Sequence, residues 1–142
     1  MAVTPTPIYP QTIYNAVQTL ANADGTSVKA LTTSQTNGIK IESVLASSSD
    51  TTARDVCLYL TIASTNYLLS QVQVPITAGQ SNGASFVNLL TGAFLPGSVP
   101  LSFDSNGNQY LYLAAGTTLS ISAPVAVTST KVINVFAIGE AF

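Results

Sequence analysis

Six carboxylates, Asp24, Glu42, Asp50, Asp55, Asp104 and Glu140, are the side chains best suited to acid–base chemistry in this 142-residue sequence, which has no histidine. Without imidazole the commonest general base and metal ligand is missing. Serine–histidine and cysteine–histidine nucleophile systems are excluded with it. A carboxylate pair would suit glycoside hydrolysis, but the local sequences argue otherwise. Asp24, Asp50 and Asp104 sit in turn-like stretches, where Asp serves its side-chain-to-backbone bond. Asp55 follows Arg54 at the start of an apolar run and is expected to stabilise a turn, while Glu42 alternates with Lys40 on a solvent face. The run Asp104-Ser-Asn-Gly-Asn-Gln109 places oxygens at alternate positions, like the start of a calcium loop. Such a loop needs Gly at its sixth position and Glu at its twelfth. Here Gly107 is fourth and Ala115 twelfth, so an Asn-Gly hairpin turn between Phe103 and Tyr110 is the favoured reading. The single cysteine, Cys57, leaves a zinc site short of ligands and reads as a small packing residue. No glycine-rich segment precedes Lys-Ser or Lys-Thr. The expectation is a non-enzyme with no catalytic residue, no metal and no cofactor.

Aromatic and proline residues are the stronger signal. Tyr9, Tyr14, Tyr59, Tyr67, Tyr110 and Tyr112 are the tyrosines, and Tyr is favoured where one end of a side chain is apolar and the other wet. Tyr110 and Tyr112 share one face of one strand, as a half-buried sheet face or a subunit contact. Pro5, Pro7 and Pro10 mark residues 1–10 as an extended arm, either a frayed terminus or a segment that docks on a neighbour. The candidate interface residues are Pro5, Pro7, Tyr9, Tyr14, Tyr110, Tyr112 and Phe142.

The elements that must carry these residues are short strands. Turn signals recur at Asp24-Gly25, Asn37-Gly38, 47–52, 64–66, 78–83, Pro96-Gly97, 105–108, Ala115-Gly116 and Ser129-Thr130. Between them apolar residues alternate. Val56, Leu58, Leu60 and Ile62 share a face, as do Leu119, Ile121, Ala123, Val125 and Val127. Ile39, Ile41 and Leu45 alternate with Lys40, Glu42 and Val44. The spacing predicts about eight strands, near 11–22, 26–33, 38–47, 54–63, 66–74, 109–114, 117–127 and 130–140. That is an all-β, single-domain, jelly-roll-like β-sandwich over residues 11–142, with its strand order left open. The stretch 11–22 fits a helical face as well as a strand, and strand is expected. A short helix is expected in 84–92, and Pro124 makes its stretch an edge strand or a bulge.

Composition narrows the partners. Only 7% of residues are charged, against about 25% in an average domain. Lys29, Lys40, Arg54 and Lys131 are scattered, so neither nucleic acid nor an anionic membrane has a basic patch to meet. No run approaches the apolar length of a membrane helix, and the start carries no secretion-signal pattern. Synthesis in a cytoplasm is the expectation. Sparse charge gives little protection against self-association.

Several stretches together resemble the small virion proteins of tailed bacteriophages, in particular capsid decoration (cement) proteins. They are Asp24–Leu31, Asn37–Ser43, Ser49–Leu58, Asn88–Leu90, Leu95–Gly97, Asp104–Leu111, Ala115–Leu119, the strand Val132–Ala137 and the ending Gly139-Glu-Ala-Phe142. The resemblance implies a jelly-roll-like sandwich, a homotrimer, and attachment to the major capsid protein lattice on the capsid exterior. It implies no catalytic residues. A tail or fibre-associated module that binds a receptor or glycan is the alternative.

Overall fold

The computed structural model describes residues 9–90 and 101–142. Within them lie ten strands: β1 (Thr12–Ala21), β2 (Lys29–Ala30), β3 (Ile39–Ser48), β4 (Arg54–Ile62), β5 (Thr65–Val74), β6 (Val87–Asn88), β7 (Ser102–Phe103), β8 (Gln109–Leu113), β9 (Thr117–Ser122) and β10 (Val132–Ala141). One 3-10 turn, Asn22–Asp24, follows β1. Two antiparallel sheets pack face to face. One runs β1-β10-β3-β8-β7, with β6 also on β3, and the other runs β2-β9-β4-β5.

The order is that of a jelly roll. β1 pairs with β10, β2 with β9, β3 with β8 and β4 with β5, so the first half of the chain pairs with the second half in reverse. Two further ladders, β10 with β3 and β9 with β4, join these pairs into sheets. The eight expected strands are all present, and the two-residue strands β6 and β7 are additions. Residues 11–22 are strand. Along β1 even-numbered residues face inward, burying Leu20 and packing Tyr14 and Ala16 against the core.

Four local expectations are corrected. Residues 84–90 form no helix: Val87 and Asn88 pair with Ala46 and Leu45. Phe86 points to the outer face, half exposed, while Leu89 and Leu90 are buried, so the apolar residues at helical spacing serve opposite sides of a sheet. Pro124 lies beyond the end of β9, a strand paired on both flanks; it stops the ladder and makes no edge. Asp55 belongs to β4 rather than to a turn, and accepts a hydrogen bond from Gln71 Nε2 at 2.8 Å across the strand pair. In β3 the alternation breaks at a bulge: Ile41 pairs with Gly139 but Ser43 with Ile138, leaving Glu42 as the extra residue. The face therefore switches. Ile39, Ile41, Val44 and Ala46 point in, and Leu45 points out. Gly139 permits this, because a Cβ there would run into the Lys40 carbonyl. Pro5, Pro7, Gly92 and the 95–97 turn lie outside the described residues.

The core is one apolar layer between the sheets. Ile39, Ile41, Val44, Ile133 and Val135 from one sheet meet Val56, Leu58, Val74, Leu119 and Ile121 from the other, all essentially without exposure. Across its open end, the β3–β4 and β9–β10 loops are tied by a charged cluster. Asp50, fully buried, accepts hydrogen bonds from the Thr128 hydroxyl (2.6 Å) and amide (3.0 Å), the Thr52 amide (3.0 Å) and Arg54 Nε (3.1 Å). Burial pushes the Asp50 carboxyl up, but these donors outweigh it and hold it well below the usual carboxylate range.

Candidate functional site

Two features share the outer face of the β1-β10-β3-β8 sheet. The first is an apolar groove of about 430 Å³, lined by Asn15, Ala16, Val17, Leu45, Phe86, Phe136, Ala137 and Ile138. The ladders place it. Val17 stands opposite Phe136, Asn15 opposite Ile138, and Leu45 opposite Phe136 on the other flank. Phe86 closes one side edge-on to Phe136, with ring centroids 6.5 Å apart. Along β1 the patch continues to Ile13, which is 82% exposed, with Val17 59% exposed. No charged side chain lines the groove. An open surface of this kind gains free energy when covered, roughly 25 cal/mol per Å² of apolar area.

The second feature is an aromatic and polar cluster at the β8 side. Tyr110 and Tyr112 stand on one face of β8, as the alternation predicts. Tyr112 OH donates to the Asn37 carbonyl at 2.8 Å, and its ring meets Phe142 edge-on at 5.9 Å. Lys40 Nζ lies 5.4 Å from the Tyr110 ring centre, 2.9 Å from Glu42 and 3.8 Å from Glu140. The hydrogen bond to Glu42 outweighs the loss from burial and, with the charges of Glu42, Glu140 and Asp104, raises the Lys40 pKa. Beside it is a polar pocket lined by Lys40, Glu42, Asp104, Asn108 and Gln109.

The candidate interface residues therefore divide. Tyr110, Tyr112 and Phe142 come together. Tyr14 is on the inward face of β1, where its hydroxyl accepts from the Thr33 amide at 2.9 Å. Tyr9 stands exposed before β1 and lines neither the groove nor the polar pocket. Val17, Leu45, Phe86, Phe136 and Ile138 were not legible as a site from the sequence. A signal existed in β10: Ile133, Val135 and Ala137 are apolar at one parity, and Phe136 and Ile138 at the other. A strand apolar on both faces has no face to give to water.

The candidate chemistry resolves into structure. Asp104 lies in the β7–β8 hairpin turn with Gly107 at φ +80°, as the Asn-Gly reading expects. Its carboxylate is engaged by the amides of Asn106 and Asn108 and by Asn108 Nδ2, at 2.8–3.1 Å. The backbone bond from Asn108 leads in lowering its pKa. Cys57 is buried, 4% exposed, on the outer side of β4. Burial raises its thiol pKa against hydrogen bonds from Tyr59 and Ser122. Among the described residues, no three His, Cys, Asp or Glu side chains are grouped to hold a metal ion. Among the described residues, no helix is long and apolar enough to cross a membrane. No family model, no curated protein and no solved structure matches the chain.

Proposed function

We propose that this chain is a non-enzymatic virion structural protein that decorates and stabilises the capsid surface of a tailed bacteriophage. Its partner is the major capsid protein lattice, and it acts as a homo-oligomer, a trimer by resemblance. It is made in the host cytoplasm and resides on the capsid exterior. The observation that carries the reading is the apolar stretch on the outer face of a jelly-roll sheet, exposed at Ile13, Val17, Phe86 and Ile138, which suits packing among the many subunits of an assembly. The sequence resemblance supplies the kind of partner. Many copies on a repeated lattice turn individually weak apolar contacts into stable attachment through avidity. Viral capsid and lectin domains both use jelly rolls, so the fold by itself does not choose between them.

A phage tail or fibre-associated module is the second reading. The Tyr110–Tyr112–Phe142 cluster beside the polar pocket of Lys40, Glu42 and Asp104 favours it, since aromatic rings flanked by polar groups suit a glycan. Immunogold electron microscopy of source virions, with an antibody to the purified chain, tests the choice. Label over the heads is expected. Label confined to the tails overturns the decoration reading and moves attention to the tyrosine cluster.

A further inference from the structure

We infer that the groove between β1, β10 and Phe86 receives the N-terminal segment, residues 1–8, of a second copy of this chain. The inference goes beyond the virion reading and does not depend on it. Three observations carry it.

The first is chemical match. The groove is lined by Val17, Leu45, Phe86, Phe136 and Ile138, with no charge. Residues 1–8 read Met-Ala-Val-Thr-Pro-Thr-Pro-Ile and carry no charged side chain. Proline-rich segments favour an extended backbone and dock in aromatic-lined grooves, because little conformational freedom remains to be lost.

The second is direction. Gln11 still donates its amide to the Ala141 carbonyl, at 2.9 Å. Read backwards from Asn15, the chain thus follows the sheet past its end, away from the groove beside Asn15–Val17. Returning to its own groove would require a reversal within residues 9–11. Pro10 restricts Tyr9 to extended backbone, and Tyr9 is 72% exposed. A neighbour's groove needs no reversal.

The third is reach. Eight residues at about 3.1 Å each span roughly 25 Å. The groove lies beside only three residues of β1, Asn15–Val17, a length of about 10 Å. The segment is long enough to cross a subunit boundary and fill it.

Disulfide trapping in the full chain tests this. One preparation carries Thr6→Cys, a second Val17→Cys, and a control Ser105→Cys on the exposed β7–β8 turn. Native Cys57 is buried and stays out of the exchange. Under mild oxidation, a Thr6→Cys/Val17→Cys heterodimer is expected, in excess over Thr6→Cys/Ser105→Cys. It should be lost when Phe86→Ser is added to the Val17→Cys chain, with the melting temperature showing that this variant is folded. Equal trapping at Ser105→Cys, no heterodimer, or only Val17→Cys homodimers would each overturn the proposal. So would closure within one chain of the Thr6→Cys/Val17→Cys double variant at high dilution.

Discussion

Asp50 is the one carboxylate with no exposure, and its four donors come from three parts of the chain: Thr52 in its own turn, Arg54 at the start of β4, and Thr128 in the β9–β10 loop. Removing one partner of a buried pair strands the other. Asp50→Ala is therefore expected to cost roughly 3 kcal/mol in urea unfolding at pH 7. The pH dependence has a definite sign. The folded pKa lies below that of an unfolded aspartate, about 3.9. The carboxylate's contribution is complete above that value and declines as pH falls below it toward the folded pKa. The stability gap between native chain and Asp50→Ala should narrow from pH 6 to pH 2.5, and a constant gap would remove the charge from the account. Cys57 gives a second prediction. Burial keeps its thiol protonated and covered. A maleimide should label it only as fast as the domain opens, whereas prompt labelling in native buffer would contradict the packing.

At the scale of elements, two deviations from regular strand geometry set the shape. The β4–β5 hairpin closes through Ala63 and Ser64, both at positive φ (47° and 65°), between the paired residues Ile62 and Thr65. A two-residue turn of this type is most easily made by Asn-Gly. The double replacement Ala63→Asn, Ser64→Gly should stabilise by about 1 kcal/mol, since each non-glycine residue in the left-handed region carries strain. For a chain of this length that is a Tm rise of roughly 3 °C by calorimetry. The other deviation is the β3 bulge at Glu42, made possible by Gly139 on β10. Gly139→Ala puts a methyl group against backbone that has no rotamer to change. A loss of about 1–3 kcal/mol is expected, with weakened hydrogen-exchange protection in β10 and β3. Protection unchanged from the native chain would mean the strands part without cost.

At the scale of the molecule, the first strand pairs with the last: Thr12 with Ala141, Leu20 with Ile133. Apart from the β4–β5 and β7–β8 hairpins, the pairings join distant parts of the chain, so loop-closure entropy must be lost before contacts repay it. Folding is expected on the scale of milliseconds to seconds, followed by tyrosine fluorescence in stopped flow because the chain has no tryptophan. Folding in microseconds would mean that the nucleus is local. Completing the sandwich also leaves one sheet with an outer face not made for water. Val17, Phe86 and Phe136 place apolar surface outside the core, where covering it would gain free energy.

Local sequence pattern was enough to establish the fold class. Period-two alternation between closely spaced turns is a local property of the backbone, so all eight principal strands, the Asn-Gly turn at Gly107 and the shared face of Tyr110 and Tyr112 were legible before any pairing was known. Strand order, register and the groove depend on long-range packing. Alternation shows that two faces exist but not which one is covered. A single bulge at Glu42 moves Val44 into the core and Leu45 to the surface. The groove, in turn, exists only because β1, β10, β3 and Phe86 lie side by side, bringing residues 17, 45, 86 and 136 together across the length of the chain. No local pattern specifies that neighbourhood. It follows from burying both sheets at once, a global minimum to which every strand contributes.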